Sequence, residues 1–229
     1  MRVRSREIET AGAMSLRSGG GLADMRFRRL MGGPEWRRLP ANVRKRFAKR
    51  MAPGVACTYR GRIEHCRMSR AGWWLAQACR LIGAPLPLDT APDMAAVVSV
   101  TEDRVGSGQV WSRLYARPGG FPQVIHSAKR FAGPTGLEEH LGLGFGMALR
   151  LEPLPHGIRF VSDHFFLKAL GKRFRLPRWL APGLLHIDHR DLGEGRFRFV
   201  LSLVHPLFGE LVRQSSIFAD QADREGDRK

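Results

Sequence analysis

The chain has 229 residues, of which 43% are hydrophobic and 26% are charged. This composition is typical of a folded protein and excludes disorder throughout. Its 38 lysines and arginines against 21 acidic residues give a net charge of +17, which raises the question of an anionic partner. Cys57, Cys66 and Cys79 have no CxxC spacing, so they predict neither a disulfide framework nor a zinc site.

The N-terminal segment carries most of the charge excess. Residues 1–50 hold 14 lysines and arginines against 4 acidic residues, and the stretch SLRSGGG at 15–21 has a flexible composition. No secretory signal and no long apolar run occurs in the sequence. We therefore expect a flexible basic tail over residues 1–33, with Met14 and Met25 as alternative starts, a single domain over 34–220, a disordered charged tail over 221–229, and a cytoplasmic location.

Two helices are predicted in the first half of the chain. Pro40 suits a first helical turn, after which Val43, Phe47 and Met51 recur at fourfold spacing among lysines and arginines. The basic surface of this helix fits either a phosphate-binding face or an ordinary solvated one. A second helix is predicted over residues 69–82, where Gly83 and the prolines that follow it end the pattern.

After Asp93 the pattern changes to short segments separated by glycine and proline turns, which is typical of an antiparallel meander. We predict an α+β fold in which this sheet is strongly curved, barrel-like or half-barrel, with the N-terminal helices packing on it and the 69–82 helix capping it. Residues 169–182 interrupt the strands as a short helix or a crossing loop. The eight predicted strands are 95–101, 109–117, 123–131, 141–151, 158–167, 184–190, 196–205 and 210–218.

Several short motifs resemble catalytic or cofactor-binding sequences but lack the spacing that the chemistry needs. Gly142, Gly144 and Gly146 lack the spacing of a dinucleotide-binding loop. In a strand, these glycines would form a face without side chains, which either a packed helix or a ligand could approach closely. His186 and His189 lie three residues apart and would point to opposite sides of a strand, so no metal site is predicted. No cofactor motif and no GxSxG nucleophile motif occurs either.

The segment 109–117 is the most distinctive. Its alternation puts Trp111, Arg113 and Tyr115 on one face, so that two rings flank a guanidinium. If this face lines the concave side of the sheet, Arg113 needs a carboxylate, which Glu138 or Glu139 can provide. The sequence leaves open whether Arg113 serves a structural ion pair or anchors an anionic ligand.

A set of short motifs in a fixed order resembles the uncharacterised bacterial family known as the domain of unknown function DUF4166, over about residues 36–220. The motifs are GAPLPL at 83–88, QVWSRLY at 109–115, GIRFVS at 157–162, LPRWLAP at 176–182, GRFRF at 195–199 and HPLFG at 205–209. Members of this family occur alone or behind a saccharopine-dehydrogenase-like oxidoreductase domain. The resemblance therefore implies a cytoplasmic ligand-handling role or a role accessory to an oxidoreductase, and no catalytic residue.

The leading hypothesis from the sequence is a binding domain whose curved sheet encloses a hydrophobic or lipid-like anionic small molecule. One alternative is binding of nucleic acid or an anionic surface through the basic N-terminal region. Another is an enzyme of unknown reaction that uses Glu138 or His164 as acid or base in the same pocket. The predicted ligand-binding residues are Trp111, Arg113, Tyr115, Glu138, Ser162 and His164.

Overall fold

A computed structural model describes residues 21–220 of the chain. The helices are α1 (Arg26–Met31), α2 (Gly33–Arg38), α3 (Ala41–Phe47) and α4 (Arg70–Ala78), and a 3₁₀ turn (Cys79–Ile82) continues α4. The strands are β1 (Gly21–Ala23), β2 (Lys49–Met51), β3 (Ala56–Met68), β4 (Met94–Asp103), β5 (Gly108–Tyr115), β6 (Gln123–Arg130), β7 (Glu138–Gly142), β8 (Phe145–Leu154), β9 (Gly157–Ala169), β10 (Lys172–Arg175), β11 (Leu184–Gly193), β12 (Arg196–His205) and β13 (Gly209–Asp220).

Ten of these strands form a closed antiparallel barrel. Strands β3 to β9 pair in chain order, β11, β12 and β13 continue the meander, and β13 pairs with β3 to close the ring. The long strand β9 pairs with β11 through residues 157–161 and with the short β10 through residues 166–169. Closure removes the free edges of the barrel sheet and gives it one enclosed interior.

The helices α1 to α3 plug one end of the barrel, which we call the N-terminal end. Phe27 of α1 is fully buried, and its ring contacts Phe47 of α3 edge to face at a centroid distance of 5.2 Å. Arg46 of α3 points inward and bonds Asp191 at 3.2 Å and Asp220 at 2.7 Å. The predicted basic helix therefore packs its apolar side and one of its arginines against the barrel. It ends at Phe47, however, and Met51, which was predicted on its apolar stripe, lies in β2.

The predicted tail over residues 1–33 overlaps this plug. Its last part, from residue 21, holds β1, α1 and the start of α2, and Phe27 anchors it in the core. Burial of an aromatic side chain stabilises such a segment by about 1.5–3 kcal/mol. Residues 1–20 and the predicted tail over residues 221–229 lie outside the described residues.

The opposite end of the barrel carries α4, and we call it the α4 end. Ser69 begins the helix, because its side-chain oxygen accepts a hydrogen bond from the Gly72 N–H at 3.1 Å. The Ser69 N–H donates to the Leu211 carbonyl at 3.0 Å, which ties the start of α4 to β13. The helix predicted over 69–82 is thus present, with its last turn in 3₁₀ form.

The prediction of a mostly antiparallel, barrel-like sheet is confirmed, but the predicted count of eight strands is wrong. The structure adds β3 ahead of α4, so the 69–82 helix follows the first barrel strand instead of preceding the sheet. The segment predicted as one strand over 141–151 belongs to two strands, β7 and β8, joined by a turn at Leu143 and Gly144. The interruption at 169–182 contains β10 and a turn.

Among residues 21–220, the helices are all too short, or too polar, to cross a bilayer.

Candidate functional site

Strand β5 supplies the inward face on which the candidate site is built. Gln109, Trp111 and Tyr115 are buried, whereas Leu114 between them is exposed, as expected for alternate residues of a barrel strand. Arg113 shares the inward face, and 21% of its side chain is exposed. The Trp111 indole N–H donates to the Gln109 side chain at 3.3 Å, which fixes the ring.

Strands β6 and β7 bring three polar side chains to the same interior. The register pairs Trp111 with Ser127 and Lys129 with Glu139. Lys129 Nζ donates to Glu139 Oε2 at 2.9 Å, and both side chains are almost fully buried. Arg113 donates to the Ser127 hydroxyl at 3.2 Å and lies 3.5 Å from Glu139 Oε1. One carboxylate therefore serves two cations.

The electrostatics of this cluster depend on its burial. Burial alone raises the pKa of Glu139, but Lys129 and Arg113 outweigh it and lower the pKa to about 2, so the carboxylate is ionised at neutral pH. Burial lowers the pKa of Lys129, Arg113 lowers it further, and Glu139 opposes both. The charged form of Lys129 is therefore incompletely compensated inside the barrel.

The cluster faces an internal cavity of about 130 Å³. Its wall is mostly apolar, and its charged lining residues within the described chain are Arg113, Lys129 and Glu139. Phe47 contributes from the N-terminal end, and Leu75, Cys79, Pro85 and Pro182 contribute from the α4 end. These four residues of the α4 end are partly exposed, so the cavity approaches the surface there. Further apolar lining residues are Ile125, Phe165, Ile187, Phe199, Leu201 and Leu203.

Three of the predicted site residues, Trp111, Arg113 and Tyr115, line this cavity. The carboxylate that meets Arg113 is Glu139, one of the two that the sequence offered. Lys129 was not predicted, although alternation over the predicted strand 123–131 puts it on the same face as the apolar Ile125. A lysine on the apolar face of a strand was the signal that could have found it.

Glu138 and His164 lie outside the cavity, on the outer side of the barrel wall. Glu138 is fully buried there beneath β10, where it is bonded to Arg173, to Lys168 at 3.1 Å and to His140 at 3.0 Å. Because adjacent strand residues point to opposite faces, Glu138 and Glu139 serve opposite sides of the wall. His164 bonds Asp163 at 2.7 Å and Arg173 at 2.9 Å. The structure therefore does not bring these two residues to Arg113.

Ser162 is buried in β9, but it is not part of the cavity wall. Its hydroxyl accepts the Leu185 N–H at 2.9 Å and so fastens β9 to the start of β11. A bulge inserts Asp163 between Ser162 and His164, because Leu149 pairs with Ser162 while Ala148 pairs with His164. Ser162 and His164, both predicted to bind the ligand, consequently lie on opposite faces of β9.

The two histidines of β11, His186 and His189, lie in different surroundings and do not converge on one site. His189 is buried in an aromatic cluster, stacked on Phe197 at 4.8 Å, whereas His186 is partly exposed. Burial, reinforced by Arg46, lowers the pKa of His189 to about 3, so its ring is neutral. Among residues 21–220, no group of three or more His, Cys, Asp or Glu side chains is arranged to hold a metal ion.

The fold and the interior together define a class of protein: an up-and-down β-barrel with one end plugged by helices and a small apolar cavity that carries charged side chains. The family model described as a domain of unknown function, DUF4166, matches residues 39–218, and the chain belongs to that family. No curated protein and no solved structure matches the chain.

Proposed function

We propose that the barrel interior binds a small hydrophobic anion whose acid group is recognised by Arg113 and Lys129. The observation that carries this proposal is the charge balance of the cavity, in which two cations share the single carboxylate of Glu139 inside an apolar wall. An unmatched buried charge is unfavourable, and a ligand carboxylate supplies the missing negative charge.

The geometry favours Arg113 as the first contact of the acid group. Its bond to Glu139 is long at 3.5 Å, and its side chain is more exposed than that of Lys129. A guanidinium offers several N–H donors in one plane, so it can hold Ser127, Glu139 and a ligand oxygen together. The apolar part of the ligand would then lie against Trp111 and the aliphatic side chains near the α4 end.

The cavity volume limits the ligand. An engineered apolar cavity of about 150 Å³ holds benzene, so a cavity of about 130 Å³ accepts a group of similar size. We therefore propose a compact aromatic or short-chain acid, or the acid-bearing end of a longer amphiphile whose remainder leaves through the α4 end.

Titration calorimetry with matched acids and alcohols tests the proposal. We expect benzoate to bind more tightly than benzyl alcohol, and alkyl carboxylates from butanoate upward to gain affinity only until the cavity is full. Arg113→Leu and Lys129→Met are each expected to lower the ratio of acid affinity to alcohol affinity by at least about tenfold, since hydrogen bonds to charged groups contribute roughly 1.5–3 kcal/mol. Arg62→Leu, which removes an exposed arginine from the outer wall, is the matched control.

Equal affinity for benzoate and benzyl alcohol, or an unchanged preference in Arg113→Leu, would contradict the proposal. Native mass spectrometry of the purified protein adds a second readout, because a co-purifying acid is expected to be lost from Arg113→Leu and retained in Arg62→Leu. A role accessory to an oxidoreductase and binding of nucleic acid through the N-terminal region stay predictions.

A further inference from the structure

The exposed apolar side chains of the barrel are concentrated at one end. Most of the large ones in residues 21–220 lie at the α4 end, on the connections between strands or on α4 itself. They are distributed over several different loops as well as α4. Those on loop tips include Phe121, Leu143, Leu170, Trp179, Leu207 and Phe208.

Two of these tips hold leucine where the backbone disfavours it. Leu143 and Leu170 occupy the first position of two-residue turns with φ of 47° and 51°, each followed by a glycine. Such turns prefer Asn, Asp or Gly at this position, and left-handed backbone is unfavourable for leucine. Leu143 is 76% and Leu170 is 98% exposed, so burial within the chain does not compensate.

The turn itself does not require an apolar residue. The same two-residue turn joins β11 to β12 at the N-terminal end, and there the equivalent position is Glu194, with φ of 51°. The left-handed backbone of Leu143 and Leu170 is unfavourable, and no contact within the chain compensates for it. Such strain is typical of functional sites, so it indicates that these side chains contact another molecule. The two leucines of the α4 end therefore indicate an apolar contact made by these tips.

The same end carries a positively charged segment. The connection from β9 through β10 to β11 reads LGKRFRLPRWLAPG over residues 170–183, with four basic residues and no acidic one. Lys172, Arg175 and Arg178 are exposed, and they alternate with the exposed rings of Phe174 and Trp179. Interleaved cations and apolar side chains complement a surface that offers both phosphates and hydrocarbon.

The tips are held in place by local bonds. His205 Nδ1 lies 3.2 Å from the Leu207 backbone nitrogen and accepts its N–H, and the His205 ring stacks on Phe208 at 4.8 Å. On α4, the exposed rings of Trp73 and Trp74 contact each other edge to face at 4.8 Å. Tryptophan is enriched at membrane interfaces, where its ring is apolar and its N–H remains hydrated.

We propose that the α4 end docks on an anionic phospholipid bilayer, with the loop-tip leucines and aromatic rings among the headgroups and Lys172, Arg175 and Arg178 on lipid phosphates. A protein interface core is depleted in charged residues, and most protein contacts to nucleic acid are hydrogen bonds to phosphate and sugar, which exposed leucines cannot make. The inference does not depend on what the cavity binds. Because the cavity approaches the surface at the same end, docking would bring it close to the bilayer.

Co-sedimentation of the full chain with vesicles tests the docking. Vesicles of phosphatidylcholine alone are compared with vesicles that also contain phosphatidylglycerol, and we expect binding to require the anionic lipid. The double variant Leu143→Asn/Leu170→Asn should bind at least about tenfold more weakly, because each leucine loses several buried methylenes. Its urea midpoint should stay equal or rise, since Asn suits the turn. Glu194→Asn is the matched control and should bind as the parent chain does.

A separate variant measures how much the basic side chains of the 170–183 segment contribute to vesicle binding. Replacing Lys172, Arg175 and Arg178 by glutamine is expected to lower binding by roughly fivefold per residue, since each cation near an anionic surface contributes about 1 kcal/mol. Equal binding to both kinds of vesicle would overturn the proposed charge complementarity.

Quenching by brominated lipid identifies the face that touches the bilayer. We expect quenching of Trp73, Trp74 and Trp179, which lie at the α4 end, and loss of most of that quenching in the leucine double variant. Vesicle binding without quenching would assign the contact to the basic N-terminal segment and overturn the proposal. Concentration-dependent self-association without lipid, abolished in the double variant, would assign the tips to a second copy and overturn it as well.

Discussion

Replacing Glu139 by glutamine is the sharpest perturbation of the buried charge cluster. Glutamine has nearly the same shape, so it removes the charge while leaving a hydrogen-bonding group beside Lys129 and Arg113. The buried Lys129 and the partly exposed Arg113 then face each other without a carboxylate, whereas the parent chain has one anion 2.9 Å and 3.5 Å from them. Removing one partner from a buried ion pair costs about 3–5 kcal/mol.

Urea unfolding measures this cost, and thermal unfolding converts it to a shift in Tm. For a chain of this size, each kcal/mol lost from the free energy of unfolding lowers Tm by about 2–4 °C. Tm should therefore fall by roughly 6–20 °C in Glu139→Gln. Lys129→Met is the informative counterpart, because it leaves Arg113 with Glu139 and removes the unmatched cation. We expect it to be much less destabilising, and we expect benzoate to stabilise Glu139→Gln more than the parent chain.

The double variant Lys129→Met/Glu139→Gln completes the cycle. In this double-mutant cycle, the double variant should lose much less free energy of unfolding than the two single variants lose in sum, because the two residues are in direct contact. A loss below about 1 kcal/mol in Glu139→Gln would refute the reasoning, as would a larger loss in Lys129→Met.

Three further predictions concern acid stability, the N-terminal plug and cavity access. Because the pKa of His189 is about 3 when folded and ordinary when unfolded, the unfolded chain takes up the extra proton as the pH falls from about 6.5 to 3. Stability should therefore fall over this range by about 1 kcal/mol per pH unit, and His189→Phe should flatten the slope of urea midpoints against pH. Phe27→Ala should lower the free energy of unfolding by about 3–5 kcal/mol, and a value near zero would show that α1 does not belong to the core. Iodoacetamide should modify Cys79 more slowly when benzoate occupies the cavity, while the buried Cys66, with a pKa raised to about 11, stays unreactive throughout.

The period-two pattern of β5 was readable because nothing interrupts it. Trp111, Arg113 and Tyr115 recur on every second residue between two glycine-rich turns, and the strand pairs with both neighbours without a bulge. Their inward orientation follows from the alternation together with the curvature of the sheet. The same reasoning applied to β6 would have reached Lys129, because Ile125 marks the apolar face of that strand.

Strand β3 was missed because its pattern is broken twice. Gly61 occupies an inward position where a side chain would overlap the Ile217 carbonyl, so the sequence shows no apolar residue there. A bulge at Glu64 then shifts the alternation, and the next buried residue after Ile63 is Cys66. A pattern interrupted by a glycine and a bulge cannot be recognised from alternation alone.

The glycine-rich segment 142–146 shows how turn chemistry misleads. Leucine is unusual at a left-handed turn position. The sequence pattern therefore assigns Leu143 to a strand, although it lies in the turn between β7 and β8. The prediction of a bare glycine face is partly right, because Gly142 lies against the Ile82 carbonyl of the 3₁₀ turn. Leucine replaces the Asn, Asp or Gly that such a turn prefers at position 143. This substitution hides the hairpin in the sequence, and it also supports a membrane contact for Leu143.

Which of two adjacent glutamates faces Arg113 depends on register, and the sequence does not contain register. Glu139 pairs with Lys129 across β6 and β7, which places it inward, and Glu138 is then forced to the outer face beneath β10. A shift by one residue would turn Glu139 to the outer face and Glu138 to the inner face, and so would break the bonds of both clusters at once. The inward cluster and the outer cluster around Glu138 therefore stabilise the same register from the two sides of the wall. A variant that alters one cluster should be examined for changes in the other before any loss of ligand binding is assigned to the cavity alone.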